Sequence, residues 1–264
     1  MQTTLQTKKT RKQARMQIAW PVVDVADAPE GPRQRQFLFG ESVAVQQARD
    51  GWARVQGEKD GYCGYVAQAS LTPWTKATHY VAAPATHVYQ AADLRAQAHL
   101  RLSFGSRLAV SAQEGRYARC AQGFVPRGHL RPLPFAWAEP AAVAELFLGT
   151  PYLWGGNSRD GVDCSGLVQL ALLACALECP ADSGPQRQCL GTTMAEDAPL
   201  KRNDLLFWQG HVAIVADSRR LVHANAHSMS VVREPISEAG ARIAQQGEGQ
   251  VIRRTRLPLG KETP

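Results

Sequence analysis

The sequence predicts an α+β domain at its C-terminal end, preceded by two small all-β modules. Three observations carry this. A segment of the first half recurs at a fixed offset with the short apolar alternation of strands, a proline-rich stretch closes that half, and beyond it helices come first and strands after. The chain has 264 residues, enough for two or three domains, and its 44% hydrophobic and 20% charged content is that of a globular protein able to bury a core.

The repeat aligns Leu38–Val55 with Ser103–Cys120 at an offset of 65, pairing Phe39 with Phe104, Gly40 with Gly105, Ala53 with Ala118 and Trp52 with Tyr117. The "GYV" at Gly64 and the "GFV" at Gly123 then align at an offset of 59, so the first copy holds six extra residues, around Gly57–Tyr62. Each copy reads as short strands separated by "RDG", "EKDG" or "QEG" turns, which suits a small open barrel of about five strands. A single irregular β domain is the alternative. The boundaries expected are a basic, disordered tail over 1–19, barrels over 20–75 and 76–134, and a third domain over 135–264, after the linker "RPLPFAWAEP".

The net charge of +7 is partly carried by the leader Lys8–Arg15. No arginine-rich groove interleaved with aromatics is visible, which argues against nucleic acid as a partner. After the leader, Pro21, Asp24 and Asp27 stand where an export signal needs a continuous apolar core, and no window reaches the roughly 18 apolar residues of a membrane span, so the expected location is cytoplasmic. The six cysteines have no paired spacing and no C-x-x-C, so free thiols are expected, with neither a structural zinc nor any other cofactor. Cys175 and Cys179, four apart, are expected to share one helix face and to pack in the core.

In the third domain "PAAVAELFLGT" is helical by apolar spacing, "PYLWGGNSRDGVD" is loop, and "CSGLVQLALLACAL" is a helix apolar nearly all round, which belongs inside a domain. Strands follow at "DLLFW", "HVAIVAD" and "RLVHAN", the last two joined by a turn at "DSRR". Asp163 stands at the N-cap of the apolar helix and Cys164 in its first turn, where unpaired N–H groups and the helix dipole favour a thiolate. Gly166 allows close backbone approach there. His211 and His223 open one strand and lie within the next at positions of the same parity. A cysteine, a histidine as base and a second polar group to orient it is what nucleophilic catalysis needs.

The segments "YLWGGNSRDGVDCSGLVQ", "LKRNDLLFWQGHVAIV" and "LVHANAH" resemble the bacterial NlpC-type cysteine peptidases, papain-like enzymes that cut cell-wall peptides, over about residues 141–256. The preceding modules resemble the paired SH3-like domains of the murein-peptide-recycling γ-D-glutamyl-L-diamino acid endopeptidases, the dipeptidyl-peptidase VI type. The resemblance implies Cys164 as nucleophile, His211 as base and His223 as orienter, with Tyr152 helping at the reacting centre. The oxyanion would be held by the Cys164 N–H and the Tyr152 hydroxyl. Asp163 and Ser165 would contact the substrate near its free amino end. The substrate implied is L-Ala-γ-D-Glu followed by a diamino acid, either meso-diaminopimelate or lysine, cut after the γ-D-glutamyl residue. Asn203 stands where the family commonly has Gly, and Asn tolerates the positive φ such a turn needs. The extra loop of the first barrel brings Glu58, Asp60 and Tyr62, whose carboxylates would recognise a substrate ammonium.

Other functions remain open at this level: a wall-binding or scaffolding protein with a degenerate catalytic unit, a papain-like amidase or acyltransferase, or a metal-binding protein. Neither the preferred diamino acid nor the oligomeric state is legible.

Overall fold

The structure is a computed structural model and describes residues 14–259. Its first β unit is one seven-stranded sheet of β1 (Ala14–Ile18), β2 (Val22–Ala26), β3 (Arg33–Leu38), β4 (Ser42–Arg49), β5 (Trp52–Gly57), β6 (Cys63–Ala67) and β7 (Leu71–Pro73). The strand order is β3-β2-β6-β5-β4-β1-β7. The tail expected over 1–19 therefore needs correction: residues 1–13 lie outside the described residues, and 14–18 pair with both β4 and β7. Ile18, fully buried, supplies the reason, since it fills the core with Val25, Phe37, Val55 and Val66. The "RDGW" turn between β4 and β5 has positive φ at Asp50 and Gly51, as a two-residue hairpin loop needs.

The second β unit comprises β8 (His79–Val81), β9 (Ala85–Tyr89), β10 (Ala98–Ser103), β11 (Arg107–Leu108), β12 (Val110–Glu114), β13 (Tyr117–Cys120), β14 (Gly123–Pro126) and β15 (Leu130–Pro132). They form a five-stranded sheet, β10-β9-β14-β13-β12, and a three-stranded one, β11-β8-β15. In the first unit β1 bridges β4 and β7 into one sheet; in the second β8 bridges β11 and β15 in the same way, and a break at Ala109 parts β11 from β12, so the strands divide between two sheets. The length difference lies where the offsets put it. Cys120 and Gly123 pair directly across a two-residue turn, whereas Gly57 and Cys63 flank a longer loop closed by Gly57 N–H to the Tyr62 carbonyl, 2.9 Å.

The third unit begins with α1 (Pro140–Glu145), whose leading proline suits a helix start. Its Ala141 N–H donates to the side-chain oxygen of Asn203, 2.8 Å, and Asn203 has φ 74°. A two-stranded ribbon, β16 (Asn157–Ser158) and β17 (Gly161–Val162), precedes α2 (Cys164–Ala174) and α3 (Ser183–Cys189). The sheet contains β18 (Thr192–Thr193), β19 (Leu205–Trp208), β20 (His211–Val215), β21 (Arg220–Asn225), β22 (Ser230–Pro235) and β23 (Arg253–Arg256), ordered β18-β23-β19-β20-β21-β22, with α4 (Ile236–Ile243) after β22. Leu167, Ala171 and Leu172 of α2 pack on Val212, Ile214 and Val222 in the largest core cluster, which explains why this helix is apolar nearly all round.

α2 ends earlier than the apolar run. Ala176 takes φ 57°, Leu177 N–H donates to the Leu172 carbonyl and Ala176 N–H to the Leu173 carbonyl, the Schellman arrangement. Cys175 and Cys179 therefore do not share a helix face: Cys175 caps α2 half-buried, and Cys179 is buried beyond it. The three units meet closely. Arg107 N–H donates to the Phe39 carbonyl, 2.8 Å, and Asn157 N–H to the Gln36 side chain, 3.0 Å. Gly155, at φ 68°, brings the loop before α2 so near β3 that a Cβ would lie 2.6 Å from the Gln34 carbonyl.

Candidate active site

The mouth of α2 is built around Asp163. Its carboxylate accepts from Gly166 N–H (2.6 Å), Gly155 N–H (2.9 Å) and the Ser165 hydroxyl (3.0 Å), which caps the helix and ties it to the preceding loop. Cys164 is the first helical residue, so its N–H has no partner within the helix. Its thiol is enclosed, 8% exposed for the residue, and lies 3.9 Å from the Gly210 carbonyl.

Across from it, β20 and β21 pair in the register Ile214 to Val222, which sets His211 and His223 on one face. His211 Nε2 lies 2.7 Å from His223 Nδ1. His223 Nε2 in turn lies 2.5 Å from Glu234 Oε1 on β22, and Arg242 of α4 donates to that same carboxylate. Asn225 also approaches His223 Nε2, at 2.9 Å. Tyr152, Trp154, Cys164, His211, Asn225 and His227 line one cleft of about 470 Å³. Tyr152 is held there by its N–H to the Met229 carbonyl, 2.9 Å.

Burial, reinforced by the Asp163 carboxylate, pushes the Cys164 thiol up to about 12, opposite to the expected lowering, against the N–H groups of Val212 on β20 and Ser165 at the helix mouth. Burial and then the neighbouring His223 pull His211 down to about 3. His223 is lowered by burial against the pull of Glu234. In each group burial favours the uncharged form, the thiol at Cys164 and the neutral imidazole at His211. The Tyr152 hydroxyl is raised by burial and by Cys164 and Asp163, so it stays a donor.

The first β unit reaches this site through residues only partly foreseen. Asp60 accepts from Tyr62 N–H (3.0 Å) and from the Gln169 side chain of α2 (2.9 Å), and half-buried Tyr62 is raised by burial and by nearby Asp182, Asp60 and Asp27. Glu58 is not with them: it is exposed and pairs with Arg15, because its place in the loop turns it toward β1. Arg35 of β3 is the residue sequence reasoning missed. Its fully buried guanidinium donates to Asp163 (3.3 Å), Ser165 (3.3 Å) and Gln169 (3.1 Å). An arginine in "RQRQF" has the look of a solvated strand position until α2 covers it. Asp182, also missed, is half-buried and is raised by burial and by Asp163 and Asp60, against the pull of Arg35. Among the described residues, no three His, Cys, Asp or Glu side chains are placed to share a metal ion.

Comparison with known proteins agrees with this architecture. Residues 149–246 match the NlpC/P60 family, and residues 25–71 match the bacterial dipeptidyl-peptidase SH3 domain. The chain is 28% identical over 225 residues to the gamma-D-glutamyl-L-lysine dipeptidyl-peptidase of Bacillus subtilis (strain 168), spanning 75% of this chain and 74% of that one. To the protein of the same description from Bacillus cereus (strain ATCC 10987 / NRS 248) it is 24% identical over 241 residues, spanning 78% and 72%. The crystal structure of an NlpC/P60 family protein from Bacillus cereus ATCC 10987 shares the fold, with a TM-score of 0.78 at 19% identity, covering 92% of this chain and 99% of that one. The chain thus carries a papain-like NlpC/P60 domain behind an SH3-like domain. Its C-terminal domain matches the NlpC/P60 family, and the chain is a cysteine peptidase, a hydrolase.

Proposed function

We propose that this peptidase hydrolyses the γ-D-glutamyl to diamino-acid bond of murein peptides that begin with a free L-Ala, and that it serves cell-wall peptide recycling in the cytoplasm. The observation that carries this reading is the group of carboxylates gathered behind the nucleophile at the mouth of α2. Asp60, Asp163 and Asp182 converge there with Tyr62 around a single guanidinium, Arg35. A surplus of negative charge around one buried guanidinium suits an ammonium, and a stem peptide still linked to glycan has no N-terminal ammonium to offer. The Bacillus relatives named for γ-D-glutamyl-L-lysine cleavage support the same bond. The second β unit we read as a second SH3-like module, by its repeat with the first.

In this mechanism the Cys164 sulfur attacks the γ-carbonyl carbon while its proton passes to His211. His223 orients that imidazole, and the oxyanion is met by the Cys164 N–H and the Tyr152 hydroxyl. His211 then gives its proton to the departing amine of the diamino acid, and water hydrolyses the γ-glutamyl thioester. Incubation with L-Ala-γ-D-Glu-meso-diaminopimelate, its lysine counterpart and their N-acetylated forms, followed by mass spectrometry, tests the reading. Release of L-Ala-γ-D-Glu from the free peptides alone is expected, and equal cleavage of acetylated peptides would overturn it.

A further inference from the structure

His223 stands between two groups that ask for opposite tautomers. Glu234 presents a carboxylate oxygen 2.5 Å from Nε2, and a carboxylate held by Arg242 can only accept, so it requires the proton on Nε2. Asn225 approaches the same nitrogen at 2.9 Å with its amide nitrogen. Its orientation is set by the Ser228 N–H, which donates to Asn225 Oδ1 at 2.7 Å and leaves only the NH2 group facing the ring. That donor would be satisfied only if Nε2 carried no proton. His223 is fully buried, so water does not arbitrate.

The choice reaches the nucleophile through one hydrogen bond. With the proton on Nε2, His223 Nδ1 accepts from His211 Nε2–H across 2.7 Å, and His211 Nδ1 is left as a bare lone pair able to take the thiol proton. With the proton on Nδ1, His223 donates to His211 Nε2. The His211 proton then sits on Nδ1, and that nitrogen has no base to offer. We propose that Glu234, clamped by Arg242, is the positioning residue that selects the productive tautomer of the His211–His223 pair against the competing amide of Asn225. Glu234 reaches His223 because it lies two residues along β22 from Val232, the cross-strand partner of His223, on the same face.

The inference rests on the reading of Cys164 and His211 as nucleophile and base, and its test can fail separately. Nitrogen NMR of histidine-labelled native protein reads the tautomer without turnover. The proton is expected on Nε2 of His223, and finding it on Nδ1 would overturn the proposal. In Glu234→Leu the proton should move to Nδ1, and kcat should fall by about a hundredfold with KM within about twofold. Adding Asn225→Asp places a carboxylate oxygen at the position of the amide nitrogen, so it should return the proton to Nε2 and recover most of kcat. A purely structural loss would not be rescued in this way. Glu234→Leu with kcat within about threefold of native would also overturn the proposal. If the variant fails to fold, the native tautomer decides alone. Retained turnover in Cys164→Ala would instead sink the underlying mechanism and leave the tautomer assignment standing.

Discussion

The Arg35 guanidinium of β3 lies 3.3 Å from the Asp163 carboxylate at the mouth of α2, across 128 residues of chain. Their side chains are 1% and 11% exposed. A charge pair so enclosed gains little over an apolar pair of the same shape, but losing one member strands the other. Arg35→Met should therefore destabilise the protein by about 3 to 5 kcal/mol, and Asp163→Asn in the same background should recover part of that. Urea denaturation of the four members of the cycle measures the coupling. Strict additivity would show that the pair does not hold the two units together.

Cys164→Ala and His211→Ala should each abolish turnover with the circular dichroism spectrum unchanged, because the two act as one unit. His223→Ala should cost less, since it leaves the nucleophile and the base in place and frees the tautomer of His211. Turnover within about threefold of native in either of the first two variants would be incompatible with the mechanism.

Acidification should weaken the fold through His211. Unfolded, the imidazole takes its proton near 6.5; folded, burial and His223 hold it near 3, so between these values the unfolded state binds the extra proton. Stability from this group is complete above about pH 6.5 and falls by about 1.4 kcal/mol for each pH unit below it. His211→Gln should flatten that limb of a stability-against-pH profile. His223, also lowered, adds to it in the same direction.

Replacing Asp60 and Tyr62 together with Asp182→Asn should lower kcat/KM for free L-Ala-γ-D-Glu peptides by about ten- to a hundredfold, the loss of a contact of about 1.5 to 3 kcal/mol. Discrimination against N-acetylated peptides should shrink with it. Glu58→Gln, at an exposed pair with Arg15, should change neither. Unaltered discrimination in the triple variant would mean the amine is read elsewhere.

Local chemistry made the helix of the candidate active site legible in the sequence. An Asp at the N-cap, a Cys in the first turn and an apolar body are properties of adjacent residues, as is the parity that sets His211 and His223 on one face. The Asp50–Gly51 hairpin and the positive φ of Asn203 are of the same kind. What the tertiary structure alone decided depends on residues far apart in the chain. Arg35 carries no mark of its burial until α2 covers it, and Glu234 meets His223 only through the register of β21 and β22. The end of α2 at Ala174 was hidden because its αL cap is Ala176 rather than a glycine. The upward shift of the Cys164 thiol is of the same kind. A helix mouth lowers a thiol through neighbours along the chain, whereas burial raises it through everything packed around it, and here the packing is the larger effect.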